Sequence, residues 1–133
     1  MTGRDVYFKA LSLLNERAAD GETQYDTASF EAAAPEMINV LSVMLDDLDL
    51  HVKHREFHEA NDEPRQISSL DETIYLHPVI CASVLPLGLA FFLIAEENSN
   101  RASLFFNLYR TEKEALYRKY RSTKRHKIRS VYQ

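Results

Sequence analysis

From Thr73 to Ala95 the chain carries no Asp, Glu, Lys or Arg. That is 23 consecutive positions without a formal charge, in a sequence of which 27% is charged. Such a stretch has two physical solutions. It crosses a bilayer, for which about 18 or more apolar residues are needed, or it is a helix buried on every side by its own protein. Length favours a span, and the basic C-terminal end would supply a positive inside. The residues inside the stretch favour burial. Pro78, Pro86 and Gly88 interrupt it, Tyr75, His77 and Ser83 are polar-tipped, and Asp71-Glu72 and Glu96-Glu97 flank it with acid on both sides. The dense apolar part, Val79 to Ala95, is 17 residues, the lower end of the spanning range. The expectation is a buried core helix and no membrane. A small single-pass membrane protein with a basic cytoplasmic tail is the rival.

The rest of the chain supplies elements for such a helix to pack against. Residues 5–17 repeat Val6, Ala10 and Leu13, with Tyr7, Leu11 and Leu14, at helical spacing. ADGETQYD reads as a loop with Gly21 as the stop and Asp26 or Thr27 as the next N-cap. Over 27–52, Met37, Leu41, Met44 and Leu48 form a stripe that Ile38, Leu45 and Val52 widen. Ser42, Asp46, Asp49 and Lys53 fall on the other side, which reads as a solvated back. Pro35 either kinks this helix or marks its first turn after a short helical entry. Residues 54–72 lose the period and read as a long polar loop, a length usually functional or mobile. A helix candidate runs from Pro78, suited to N1 after His77, to about Glu97. ENSN offers a break, and 101–121 makes a last helix. One of its faces carries Phe105, Tyr109, Leu116 and Tyr120 with Phe106 and Tyr117; a smaller second face carries Leu104, Leu108 and Ala115. No strand pattern emerges beyond the short TIYL, which could pair as a small strand. The expected fold is all-α, a compact bundle of about four helices with a buried apolar central helix and a long polar loop before it. It would form a single helical domain over 1–121, with a basic tail over 122–133.

Charge is unevenly placed. Residues 1–100 hold 6 Lys/Arg against 18 Asp/Glu, a net of −12; residues 101–133 hold 10 Lys/Arg against 2 Glu, a net of +8. The candidate partner-binding residues are therefore Arg118, Lys119, Arg121, Lys124, Arg125, Lys127 and Arg129, with Tyr117, Tyr120 and Tyr132 among them. Three readings compete for them: a solvated helix end, a dock for an acidic protein, or contact with nucleic-acid phosphate. The acidic first hundred residues favour protein over DNA, since neighbouring subunits could supply the anionic surface. A nucleic-acid-binding helical protein acting through the tail remains a rival.

Chemistry-bearing patterns are weak. His51, His54 and His58 would share a helical face, and 54/58 have the i,i+4 spacing of zinc helices. HREFHE lacks the Glu of HExxH, however, and histidines near a helix C-terminus are favoured there by charge alone. Cys81, the single cysteine, has His77 one turn earlier, but a thiol in an apolar helix is inert. One thiol fits a reducing compartment, and Asp5 and Lys9 argue against a cleavable signal. Asp46-Asp47-Asp49 read as a solvated run. No Gly-rich phosphate loop, GxSxG or zinc-type cysteine cluster is present. No enzyme, cofactor or metal is expected.

The order of the pieces resembles a known family. MINVLSVMLDDL places an Asn early in an apolar stripe, a polar loop ends in SSLDETIYL, and VLPLGLAFFLIAEENSNRASLFFNLYRTEKEAL follows. This is similar to the head–tail connector (head-completion or adaptor) proteins of long-tailed bacteriophages and prophages. There a phrase like "sLDDEI.L" precedes "vLPyGLAa.L…D…A..F…Y" and a charged last helix. The matching residues are Ser69 to Ile74, Leu85 to Ala90, and Ala102, Phe106 and Tyr109. The likeness runs from about Val6 to Tyr120. It departs at Leu87, often aromatic in the family, and at the His-rich loop. The resemblance implies a structural virion assembly protein, an all-α subunit of a ring of about a dozen copies docked beneath the portal. It implies the portal protein and tail-side connector proteins as partners, and a channel through which DNA passes without sequence-specific binding. The chain would be made in the bacterial cytoplasm and reside at the head–tail junction of the virion. The 54–72 loop would be mobile until a neighbour or the portal orders it.

Overall fold

The computed structural model describes the backbone of residues 1–17, 27–55 and 63–131, and the side chains of these except 15–17, 27 and 121–131. Five helices appear among them: α1 (Gly3–Arg17), α2 (Thr27–Arg55), α3 (Pro78–Ala82), α4 (Val84–Ile94) and α5 (Ser99–Val131). The chain is an all-α bundle. α4 stands at its centre, in contact with α1, α2, α3 and α5.

The uncharged stretch resolves as burial. Val84, Leu85, Pro86, Gly88, Leu89, Ala90, Leu93 and Ile94 are all buried on α4. Among the described residues no helix is long and apolar enough to cross a membrane. Each fully buried Leu or Ile contributes about 1.5–3 kcal/mol relative to exposure, so α4 is the main apolar anchor of the bundle. The expected single helix from Pro78 to Glu97 is instead two, broken at Ser83. Pro86 explains the break. It has no N–H to donate to the Ala82 carbonyl, so it is tolerated only in a first turn, and α4 restarts two residues before it. His77 caps α3: its Nδ1 accepts from the Val79 N–H at 3.0 Å, and Pro78 occupies N1 as expected.

Gly88 lies where α4 packs tightly against Leu41 of α2 and Tyr109 of α5. A Cβ there would lie 2.7 Å from Leu41 Cδ2 and 3.1 Å from Tyr109 Cδ2. An added methyl would require Leu41 Cδ2 to shift and the Tyr109 ring to give way slightly.

α2 buries a stripe at 3,4,3,4 spacing: Ile38, Leu41, Leu45, Leu48 and Val52. Met44, expected in the stripe, is 44% exposed. Pro35 lies inside the helix, which continues on both sides. The expected solvated back is overturned. Ser42, Asp49 and Lys53 are buried, because residues 74–77 lie over that side.

The loop is only in part as expected. α2 extends to Arg55, and residues 56–62 lie outside the described residues. Residues 63–72 are non-helical but packed: Ile67 and Leu70 are buried. Asn39 holds Ile67 in both directions, donating to its carbonyl and accepting its N–H, each at 2.8 Å. The first residues of the chain run along the end of this loop. Arg4 N donates to Leu70 O at 2.7 Å, Gly3 N to Glu72 O at 3.1 Å, and Ile74 N to Met1 O at 2.9 Å. Within TIYL the pairing reduces to one antiparallel bridge, Thr2 with Thr73.

α5 buries Ala102, Phe105, Tyr109, Leu116 and Tyr120 against the core, the face the spacing predicts. It does not stop near 121. Its helical backbone continues to Val131, so the expected tail is an extension of the last helix, and 33 residues give it a length of about 50 Å.

Candidate functional site

Two kinds of polar feature are available, one buried and one on the surface. The buried one joins α2 to residues 75–77. Lys53 Nζ lies 2.8 Å from Asp49 Oδ2, and the two side chains are 8% and 2% exposed. Lys53 Nζ also donates to Tyr75 O at 2.9 Å. The other Asp49 oxygen accepts the His77 N–H at 2.6 Å. The Tyr75 hydroxyl donates to Asp46 Oδ1 at 2.9 Å and lies 3.2 Å from Ser42 O. Burial and the Asp46 carboxylate raise the Tyr75 phenol well above its ordinary range. Every partner here is occupied by another, so the arrangement acts as a tie: it fixes the chain just before α3 onto α2.

Asp46 and Asp49 were expected in a solvated run, and Asp49 and Lys53 on a solvated face. The signal for the tie was the acid-before-base i,i+4 spacing on α2. That spacing alone does not distinguish a surface pair from a buried one.

The remaining candidates stay apart. Cys81 is buried, and desolvation pushes its thiol up to about 11; its Sγ contacts Leu76 O at 3.5 Å, and the His77 Nδ1 is taken by Val79. His51 Nε2 is 3.5 Å from Asp47 Oδ2, and its ring meets Tyr117 edge-on at 5.5 Å. His54 is exposed, and His58 lies outside the described residues. Among the described residues no group of three His, Cys, Asp and Glu could hold a metal ion.

Of the basic candidates, Arg118 and Lys119 are exposed on α5. Lys119 Nζ sits 5.7 Å over the Tyr120 ring. Arg121, Lys124, Arg125, Lys127 and Arg129 follow on the helical backbone of α5, and their side chains lie outside the described residues. Helical register puts positions 118, 125 and 129 on one side of the rod and 119, 124 and 127 on others.

The surface also presents apolar groups that charge counting missed. Phe8, Val40, Val43, Met44, Leu50, Leu104 and Phe106 are exposed, Val43 by 72%. On one side a shallow groove of about 350 Å³ runs between α2 and α4, lined by Ala33, Glu36, Met37, Val40 and Phe92. Phe91 and Phe106 extend this apolar surface, with ring centroids 5.1 Å apart. A second cleft of about 450 Å³ lies where α1, α4 and α5 meet, with Lys9 and Glu112 at its edge and Leu13, Pro86 and Leu87 in its wall. No protein-family model matches the sequence, and neither a curated protein nor a solved structure does.

Proposed function

We propose that this chain is a structural assembly subunit, a head–tail connector that joins copies of itself into a ring beneath a phage portal and continues the DNA channel. The observation that carries the reading is where the family-like residues sit. Leu70 is buried, and Glu72 Oε2 accepts the N–H groups of Ser68 and Ser69 at 2.6 and 2.8 Å. Gly88 packs against Leu41 and Tyr109, with no room to spare for a side chain. Ala102 and Tyr109 are buried on α5. The SLDE and LPLGLA segments thus have the architectural work that a shared fold would preserve. The exposed apolar groups on α1, α2 and α5 support a role in assembly.

On this reading the portal and tail-side connector proteins are the partners. The basic end of α5 meets an acidic protein surface, and DNA passes the ring without being read. The test is capture by a purified portal ring of the same phage, followed by sedimentation. Stoichiometric co-sedimentation is expected, and it should weaken when α5 is truncated after Tyr120. A portal ring that captures none of the protein overturns the reading.

A further inference from the structure

α2 and α5 each bury one face and expose another, and the two exposed faces match. On α2 the outward stripe is Glu36, Val40, Val43, Asp47 and Leu50, at spacings of 4, 3, 4 and 3. Val40, Val43 and Leu50 are 49%, 72% and 51% exposed. On α5 the outward stripe is Leu104, Leu108, Thr111, Ala115 and Arg118, with the same spacings. Leu104 is 39% exposed, Leu108 is half-buried, and Arg118 is exposed. Helical register continues this stripe along the backbone to positions 122, 125 and 129, the last two of them Arg.

Stripes with a 3.5-residue period pack side by side at a shallow angle, each ridge entering the other's groove. The charges are complementary. The α2 stripe carries Glu36 and Asp47, whereas the α5 stripe carries Arg118 and, by helical register, positions 125 and 129, both Arg. Within one chain these faces cannot meet. α2 and α5 already touch along one flank of the α2 stripe, where Tyr117 donates to Asp47 at 2.8 Å, and this leaves Val40, Val43 and Leu50 exposed. Val40, Val43 and Leu50 on α2 and Leu104 and Arg118 on α5 stay exposed in the single chain, so both halves of a contact are present on one molecule.

We infer that the outward face of α2 and the outward face of α5 form a head-to-tail contact between copies of this chain, α5 of one copy lying on α2 of the next. Such a contact is heterologous: it leaves one free α2 face and one free α5 face at the ends of any open chain, and it closes only as a ring. The inference gives the connector reading its subunit contact and rests on that reading only for ring closure. Self-association through these faces needs no portal.

The experiment uses the full-length protein and two variants, Val43→Lys on α2 and Arg118→Glu on α5. Both positions are exposed, so circular dichroism should match wild type. Mass is read by light scattering over a concentration series in low and high salt. Wild type should exceed 15.4 kDa as concentration rises, and less so in high salt. Each variant alone should lose that rise. Mixing the two is decisive, because each retains the face the other lacks. The mixture should give a species of about twice the monomer mass that grows no further. Wild type that stays monomeric throughout, variants that associate as wild type does, or a mixture that stays monomeric each overturn the inference. Portal capture is measured separately, so a failed contact and a failed connector reading give different results.

Discussion

Lys53 Nζ and Asp49 Oδ2 lie 2.8 Å apart one turn apart on α2, both shielded from water. Each has a second bond to the segment before α3, to Tyr75 O and from His77 N. A buried pair is not by itself a large net stabiliser, because desolvation offsets much of the attraction. Removing one partner is different, since it leaves the other charge buried and alone, at a cost of about 3–5 kcal/mol. Asp49→Asn and Lys53→Met should each lower stability by this order in urea unfolding. The double variant should cost much less than the two singles summed. Strict additivity in that cycle would mean the ions do not depend on each other.

Gly88 gives the second prediction. In a helix interior Ala is ordinarily favoured over Gly by about 1 kcal/mol. Here the added methyl meets Leu41 Cδ2 at 2.7 Å and the Tyr109 ring at 3.1 Å. Overpacking of this kind costs about 1–3 kcal/mol, so Gly88→Ala should destabilise despite its better propensity. Shortening the neighbour, as in Gly88→Ala with Leu41→Val, should recover part of the loss. A single variant as stable as wild type would show that α4 can shift away from α2 and α5 at little cost.

These residues also show what was legible in the sequence. Periodicity located α1, α2 and the core face of α5, because a helix in contact with a core records its contacts every three to four residues. The uncharged stretch identified the central helix of the core, since no charged residue interrupts it. The break at Ser83 was hidden: Pro86 and Pro78 were both compatible with one helix, and only the placement of the Ala82 carbonyl separates the alternatives. The Asp49–Lys53 tie was hidden for a different reason. Residues 74–77 cover the polar side of α2, and a segment nearly thirty residues away in sequence leaves no trace in local spacing. The outward apolar residues Val40, Val43 and Leu50 were passed over because they share α2 with a stronger inward stripe.

Asn39 and Glu72 hold residues 67–72, and their loss should be local. Asn39 supplies both a donor and an acceptor to Ile67. Glu72 Oε2 accepts two N–H groups and the Ser68 hydroxyl, at 2.6, 2.8 and 2.9 Å, and those bonds hold its carboxyl below the ordinary carboxylate range. Because the folded pKa is lowered, this contribution is present above the unfolded value and lost as pH falls through the folded one. Glu72→Ala should therefore speed amide exchange at Ser68 and Ser69, and Asn39→Ala at Ile67, while the amides of α4 keep their protection. Glu72→Gln should also make the acid limb of the stability curve less steep. Global acceleration of exchange in either variant would mean that the loop is part of the cooperative core.

Cys81 provides a prediction at the opposite end of the pH scale. Burial raises its thiol from 9.0 to about 11, so the folded state keeps the proton where the unfolded chain has released it. The sign follows from the protons bound. Between about pH 9 and 11 the unfolded state binds fewer, and stability falls as pH rises. At about 1.4 kcal/mol per pKa unit, the loss is on the order of 2–3 kcal/mol. The Tyr75 and Tyr109 phenols, also raised by burial, add to it at higher pH. Cys81→Ala should start from a somewhat lower stability and then lose less between pH 9 and 11 than wild type. At neutral pH the native thiol should resist an aromatic disulfide reagent and react only as fast as the bundle opens, so labelling and unfolding rates should agree when the reagent is in excess. Rapid labelling of the folded protein, or parallel alkaline profiles for the two proteins, would place Cys81 in contact with solvent, against its buried position on α3.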